Sequence, residues 1–210
     1  MKKAVAQHEV SAWLQKNNLS LIIDFHNEVK RNFQNEIAWM NERLEDGSLS
    51  EQEKIKLRDR KNTYVNTFEP YLRINTFLMM VSHLEEWLYR TWKQHAPATG
   101  LLEAKGSIGR FKPVLNEIGV DLSRSEPWMF LKGCQDVRSC LLHANGRVSL
   151  NRKPDRIRNF VARHHDIIRI VNDRLVPDGA FLKCVQDAVE QLIASANDVL
   201  FVKKTIYKSS

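Results

Sequence analysis

The chain has 210 residues, 43% hydrophobic and 27% charged, with a formal net charge of +7 at pH 7. This length favours one domain with a sizeable core, and eight glycines and six prolines argue against a loop-rich all-β fold. The basic balance is compatible with RNA or another polyanion as a partner, and equally with a basic solvated surface.

Cysteine usage and hydropathy indicate the compartment. The chain contains three cysteines, Cys134, Cys140 and Cys184. Their odd number and the lack of a Cys-x-x-Cys pair favour a reducing compartment over secretion. No apolar run reaches the length of a membrane-spanning helix, and polar residues 7–9 interrupt any signal-peptide core. We therefore expect a cytoplasmic protein that makes no contact with a membrane.

The first 67 residues are predicted to form a helical extension. Apolar residues recur in steps of three and four over residues 19–44, which is the spacing of one stripe along an amphipathic helix. The Asp-Gly pair at 46–47 should end this helix, and Ser50 with Glu53 forms a capping box that begins the next one. We expect residues 1–67 to form long helices that can pack on the core.

Residues 68–210 are predicted to form an all-α helical domain. Pro70 should kink or interrupt the helix before it. The apolar stretch 71–92 then indicates a central core helix, and residues 106–122 indicate a short helix between glycine-marked loops. A small hairpin is expected near 167–176, and an amphipathic C-terminal helix follows it.

A further helix is predicted over residues 127–143. Ser125 is placed to cap its start, and the Asn-Gly pair at 145–146 tolerates the left-handed turn that ends it. The apolar stripe of this helix comprises Trp128, Leu131, Cys134, Val137 and Leu141. Arg138 and His143 flank the stripe on a helical wheel and lie about 140° apart. The residues between them on the wheel are Lys132, Gln135, Ser139 and Leu142.

This face of the helix admits more than one interpretation. An apolar residue on an outward face, Leu142, indicates a packing partner, which is either a second chain or another helix of the same chain. His143 in the last turn also interacts favourably with the helix dipole, without any further role.

Arginine and histidine together can carry out one kind of chemistry. Histidine titrates near neutrality and moves protons in either direction, and arginine presents a planar fork that matches phosphate oxygens. The pair is a minimal set for metal-independent cleavage of RNA. One pair is sparse, and two pairs facing each other across a dimer would make a fuller site.

Three segments occur in an order that is typical of a known family. A long helix, YLRINTFLMMVSHLEEWLYRTW, is followed by GSIGRFKPVLNEIGVDL and then by WMFLKGCQDVRSCLLHANGRV. The last segment holds an arginine, four residues and a histidine at a helix end, and then Asn-Gly. This arrangement resembles the HEPN superfamily (higher eukaryotes and prokaryotes nucleotide-binding domain) over about residues 68–200.

The resemblance implies a fold, an activity and partners. The fold is an all-α, HEPN-like helical bundle, and the activity is that of a metal-independent endoribonuclease with neither a cofactor nor a metal site. Arg138 and His143 would be the catalytic residues in a cleft that two protomers commonly form. The implied setting is a bacterial toxin–antitoxin or antiphage system, with an antitoxin or a nucleotidyltransferase as partner.

Two supporting residues follow from the same resemblance. Ser139 stands where the family most often has asparagine or another polar residue, and it is shorter. Glu85 matches a frequent acidic position on the earlier helix and can orient Arg138, although Glu86 fits equally well on sequence alone. Both glutamates would also suit a solvated helix face.

A basic run follows the motif, and a competing class of protein stays open. Arginines and lysines concentrate just beyond Gly146 and would follow an RNA backbone, or else form a solvated loop. They are Arg147, Arg152, Lys153, Arg156 and Arg158.

The alternative to an enzyme is a non-catalytic helical module that binds nucleotide, nucleic acid or a protein. A Cys140–His143 nucleophile is disfavoured, because a small buried cysteine is commoner at such a position.

Overall fold

The computed structural model describes residues 2–99 and 108–206, with side chains described over 18–99 and 108–200. The helices in this part of the chain are α1 (Lys2–Glu45), α2 (Glu51–Thr63), α3 (Glu69–His95), α4 (Lys112–Ile118), α5 (Glu126–His143), α6 (Pro154–Arg163) and α7 (Gly179–Ile206). The strands are β1 (Ile168–Val171) and β2 (Arg174–Pro177). The all-α class is confirmed. None of the described helices combines the length and apolarity that a membrane crossing requires.

Helix α1 packs along α2 and α3 in the opposite direction. His26 contacts Thr76 near one end, and Glu36 pairs with Arg60 further along, so the two runs are antiparallel. The capping box at Ser50 forms as predicted, with the serine side chain accepting from the Glu53 backbone and the Glu53 side chain accepting from the Ser50 backbone. The N-terminal helices therefore pack on the rest of the chain.

The passage from α2 to α3 is helical throughout but changes its hydrogen bonding. Residues Tyr64–Phe68 form a π-helical turn, in which the Glu69 N–H donates to the Tyr64 carbonyl. An α-helix would need the N–H of residue 70 to donate to residue 66, and Pro70 has no N–H. The interruption predicted at Pro70 thus takes the form of a π turn just before it.

The main core lies among α3, α5 and α7, with contributions from α1 and α4. Phe77 of α3 and Phe181 of α7 are fully buried, and their rings lie 5.2 Å apart. Leu19 of α1 is buried in the same cluster. Burying one such side chain is worth about 1.5–3 kcal/mol, so this contact anchors the N-terminal helix to the domain.

Helix α6 crosses α5 at very short range. The crossing point is Gly133, where a Cβ would lie 2.1 Å from Cδ2 of Phe160. The missing side chain lets the buried Phe160 ring rest on the α5 backbone. This contact, together with the Arg156–Asp136 pair, holds α6 beside the middle of α5.

The small hairpin predicted near residues 167–176 is present. Strands β1 and β2 pair antiparallel, from Ile168 opposite Pro177 to Val171 opposite Arg174. Asn172 and Asp173 form its two-residue turn with φ values of 49° and 65°. Two positive φ values are characteristic of the tight turn that matches strand twist, and asparagine and aspartate tolerate them better than most residues.

Candidate nucleic-acid interface at the end of α5

Helix α5 ends at His143, as predicted. The backbone N–H groups of Ala144 and Gly146 both donate to the Cys140 carbonyl at 3.0 Å, and this closes the last turn. Asn145 and Gly146 take φ values of 49° and 74°, which is why asparagine and glycine suit these positions. The turn leaves the His143 side chain exposed beside the loop that follows.

Arg138, Ser139 and His143 line one open cleft of about 900 Å³. The cleft lies between α5, the loop after it and the start of α6. Its remaining lining residues are Gly109, Lys132, Gln135, Asp136, Ala144, Leu150, Asn151, Arg152, Lys153 and Arg156. Five lysine or arginine side chains thus share the lining with one acidic side chain, so the cleft favours an anionic ligand.

Arg138 is held from the side by an acidic partner. Its Nη2 lies 3.5 Å from Oε2 of Glu85, and both side chains are about one-quarter exposed. Glu86, the other glutamate that suited this role, pairs instead with Arg90 at 2.6 Å on an exposed face. The structure therefore selects Glu85 as the residue that contacts Arg138. The Arg138 Nε is buried without a hydrogen-bond partner.

The predicted basic residues divide into two groups. Arg152, Lys153 and Arg156 line the cleft with the motif residues. Arg147 and Arg158 are absent from its lining. The Arg147 backbone forms a bridge with Arg174 of the hairpin, and Arg158 pairs with Asp155 on an exposed surface.

The loop formed by residues 147–153, the basic loop, is tied to the hairpin. Val148 N–H donates to the Asp173 carbonyl at 2.8 Å, and Ser149 N–H donates to the Asp173 carboxylate at 3.0 Å. The Ser149 hydroxyl donates to the same carboxylate. These two bonds from Ser149 lower the pKa of Asp173. The turn of the hairpin therefore positions the loop that supplies Arg152 and Lys153 to the cleft.

Three residues of the α5 cleft face were not singled out from sequence. Lys132, Gln135 and Asp136 line the cleft beside Ser139 and His143. Gln135 was placed on a polar outward face, yet it is only 9% exposed. The signal was the run 132, 136, 139, 143, whose steps of four and three mark one helix face. Asp136 pairs with Arg156 at 3.0 Å and links α5 to α6 inside the cleft.

Cys140 has the character of a structural thiol. Its Sγ donates to the Arg147 carbonyl at 3.5 Å, and burial, followed by the nearby Asp173 carboxylate, raises the pKa of Cys140 to about 11. Such a thiol is almost wholly protonated near neutral pH, and the thiolate is the nucleophilic form. Over residues 18–99 and 108–200, no group of three His, Cys, Asp or Glu side chains is arranged to hold a metal ion.

Comparison with known proteins adds no relative. No protein-family model matches the chain, and searches of curated proteins and of solved structures gave no significant match. The indications of function therefore lie in the chemistry of the cleft and in the sequence motif.

Proposed function

We propose that the protein is a metal-independent endoribonuclease of the HEPN type, acting in a bacterial toxin–antitoxin or antiphage setting. The observation that supports this most is that Arg138 and His143 line the same basic cleft as Arg152, Lys153 and Arg156. Two catalytic groups and a track of cations for the phosphate backbone are what cleavage of an RNA strand requires.

The chemistry is transfer of the phosphoryl group within the RNA strand. The ribose 2′-oxygen attacks the adjacent phosphorus, the bond from phosphorus to the 5′-oxygen breaks, and a 2′,3′-cyclic phosphate and a 5′-hydroxyl result. His143 moves the proton, either from the 2′-hydroxyl or to the leaving 5′-oxygen. Arg138 stabilises the charge that builds on the phosphorane oxygens, and Glu85 orients its guanidinium.

A second protomer fits this proposal. One chain supplies one histidine to the cleft, whereas the reaction needs a base and an acid. Leu142 is 47% exposed on the α5 face beside the cleft, and Leu150 on the cleft rim is 66% exposed. Apolar side chains in these positions suit an interface with another copy, whose own His143 would complete the site.

A non-catalytic RNA-binding module is the second candidate. Ser139 in place of asparagine favours it, because the shorter side chain weakens the catalytic set and leaves the cations of the cleft lining unchanged. This module would bind RNA in the same cleft and leave it intact.

Cleavage in the presence of EDTA separates the two candidates. The purified full chain is expected to cut single-stranded RNA in EDTA, and His143→Ala should slow the cutting at least ~100-fold. The matched control is His165→Ala, an exposed histidine beyond α6 that does not line the cleft. Equal cutting by wild type and His143→Ala, or binding of RNA without any cutting, would contradict the nuclease assignment.

A further inference from the structure

The cleft contains two buried N–H donors without acceptors. Nε2 of Gln135 and Nε of Arg138 are both buried, and neither has a hydrogen-bond partner. Gln135 as a whole is 91% buried, because only 9% of it is exposed, and it lines the cleft. Buried donors in proteins are nearly always paired, so two unmet donors at one place require an explanation.

The two donors are neighbours on one helix face. Gln135 and Arg138 are three residues apart on α5, which places their side chains side by side. Asp136, the one acidic residue of the lining, is already paired with Arg156 and lies next to Gln135 in sequence, where side chains do not face each other. Neither donor therefore has an acceptor within the described part of the chain, and a ligand in the cleft can supply one.

The charge of the surroundings indicates what that acceptor is. Lys132, Arg152 and Lys153 add positive charge to the same lining. A phosphate group offers two or more oxygens on one centre, and its negative charge strengthens each bond it accepts. The edge of a nucleobase is uncharged, so it would not neutralise the surrounding cations.

We propose that Gln135 and Arg138 form a phosphate-binding subsite, in which the two side chains turn into the cleft that they line, so that the carboxamide N–H and the guanidinium Nε–H donate to two oxygens of one phosphate. Gln135 is thus a substrate-binding residue outside the Arg138–His143 pair. The inference deepens the proposed function and rests on it only for the assignment of the phosphate to an RNA backbone. The hydrogen-bonding chemistry is the same for a free phosphate ion.

The test uses the full chain and a ligand that cannot be cut. A fluorescein-labelled single-stranded deoxyoligonucleotide carries phosphodiesters but lacks the 2′-hydroxyl, so its binding, measured by fluorescence anisotropy, is independent of cleavage. Gln135→Met should weaken binding at least ~10-fold, since it removes a bond to a charged acceptor. The matched control, Gln191→Met, alters an exposed residue of α7 outside the cleft lining and should bind as wild type.

Thermal stability distinguishes a ligand contact from a structural role. Methionine fills similar space without an unmet donor, so Gln135→Met should melt at the wild-type temperature or above it while it loses affinity. A melting temperature that falls together with the affinity would assign Gln135 to the packing of the cleft and overturn the subsite. Gln135→Glu keeps the shape and adds a negative charge, and a larger loss of affinity is expected.

The ligand can also be varied while the protein stays unchanged. An oligomer with uncharged methylphosphonate linkages should bind wild type at least ~10-fold more weakly, and Gln135→Met should then make no further difference. Competition by inorganic phosphate that depends on Gln135, without binding of any oligonucleotide, would support the subsite and assign it to free phosphate. Wild-type affinity in both Gln135 variants would overturn it. Loss of binding in these variants without any RNA cleavage would retain the subsite and refute the nuclease.

Discussion

Two buried polar positions, one in the cleft and one between α1 and α3, differ in how their hydrogen bonds are satisfied. His26 Nδ1 lies 2.9 Å from the Thr76 hydroxyl, which itself donates to the Leu72 carbonyl at 2.9 Å. Gln135 and Arg138 bury donors that nothing accepts. In the first arrangement the hydrogen bonds are made within the chain, whereas in the second the donors are left for a ligand. Burial of polar groups serves packing in one region and binding in the other.

The largest effect on activity is expected at Arg138, which belongs to the cleft and not to the closed His26–Thr76 arrangement. Arg138→Met removes the guanidinium, and RNA cleavage in EDTA should fall at least ~100-fold, because the cation assigned to the developing phosphorane charge is lost. The matched control is Arg90→Met, which breaks the exposed Glu86–Arg90 pair at 2.6 Å. Gel-resolved cleavage rates give the measurement. Similar losses in the two variants would show that general charge, and not the cleft arginine, drives the reaction.

The next prediction breaks the geometry of the cleft through α6. In Gly133→Ala the new Cβ would lie 2.1 Å from Cδ2 of the buried Phe160, so the helices must separate. We expect the free energy of unfolding in urea to fall by about 1–3 kcal/mol. Gly47→Ala, which meets no atom within 4 Å, should change it by less than about 0.5 kcal/mol. An unchanged stability in Gly133→Ala would contradict the close crossing of α5 and α6.

The third prediction concerns the closed arrangement between α1 and α3. Thr76→Val removes the acceptor of the His26 ring and leaves that buried N–H unpaired, which should lower the free energy of unfolding by about 1–3 kcal/mol. Thr63→Val is the control, because its exposed hydroxyl bonds only to the Asp59 carbonyl of its own helix. If Thr76→Val stays folded but loses RNA cleavage, the His26–Thr76 site is coupled to the cleft, and the two regions do not act independently.

The pH dependence of stability reports on the same histidine. Burial, then Lys30 and Arg73, lower the pKa of His26, so the folded state keeps the ring neutral to a lower pH than the unfolded state does. Above pH 6.5 both states carry the neutral ring, and its contribution is complete. As the pH falls below 6.5, the unfolded state takes up a proton that the folded state does not, and stability declines. In urea titrations at several pH values, His26→Gln should make this decline in stability smaller. Burial also lowers the pKa of His164, so His164 should account for part of the decline that remains.

The sequence alone predicted the local features of the fold. Ser50 and Glu53 were sufficient for a capping box and Asn145-Gly146 for the end of α5, because each depends on residues within a few positions. The hairpin near residues 167–176 was also expected, although its turn residues were not identified. The all-α class followed from apolar spacing. The catalytic role of Arg138 and His143 and the RNA partner stay predictions.

What the sequence did not predict depends on contacts between distant segments. The wheel placed Gln135 on an outward face, since it counts only neighbours on the same helix and not the elements that later pack beside it. The choice between Glu85 and Glu86 required the position of α3 relative to α5. The bond from Ser149 to Asp173 joins residues 24 apart, and no local pattern marks it.

The smallest expected effect tests whether that distant contact matters to the cleft. Ser149→Ala removes one of the three hydrogen bonds that hold the basic loop to Asp173, so Arg152 and Lys153 become less well positioned. Affinity for the deoxyoligonucleotide should fall roughly two- to fivefold, and the pKa of Asp173 should move up towards its ordinary value. Ser123→Ala is a close control, because Ser123 makes the same kind of bonds to Asp121 within one local turn, away from the cleft. An unchanged affinity alongside a changed Asp173 pKa would mean that the loop keeps its place without the hairpin, and that the cleft is built by α5 and α6 alone.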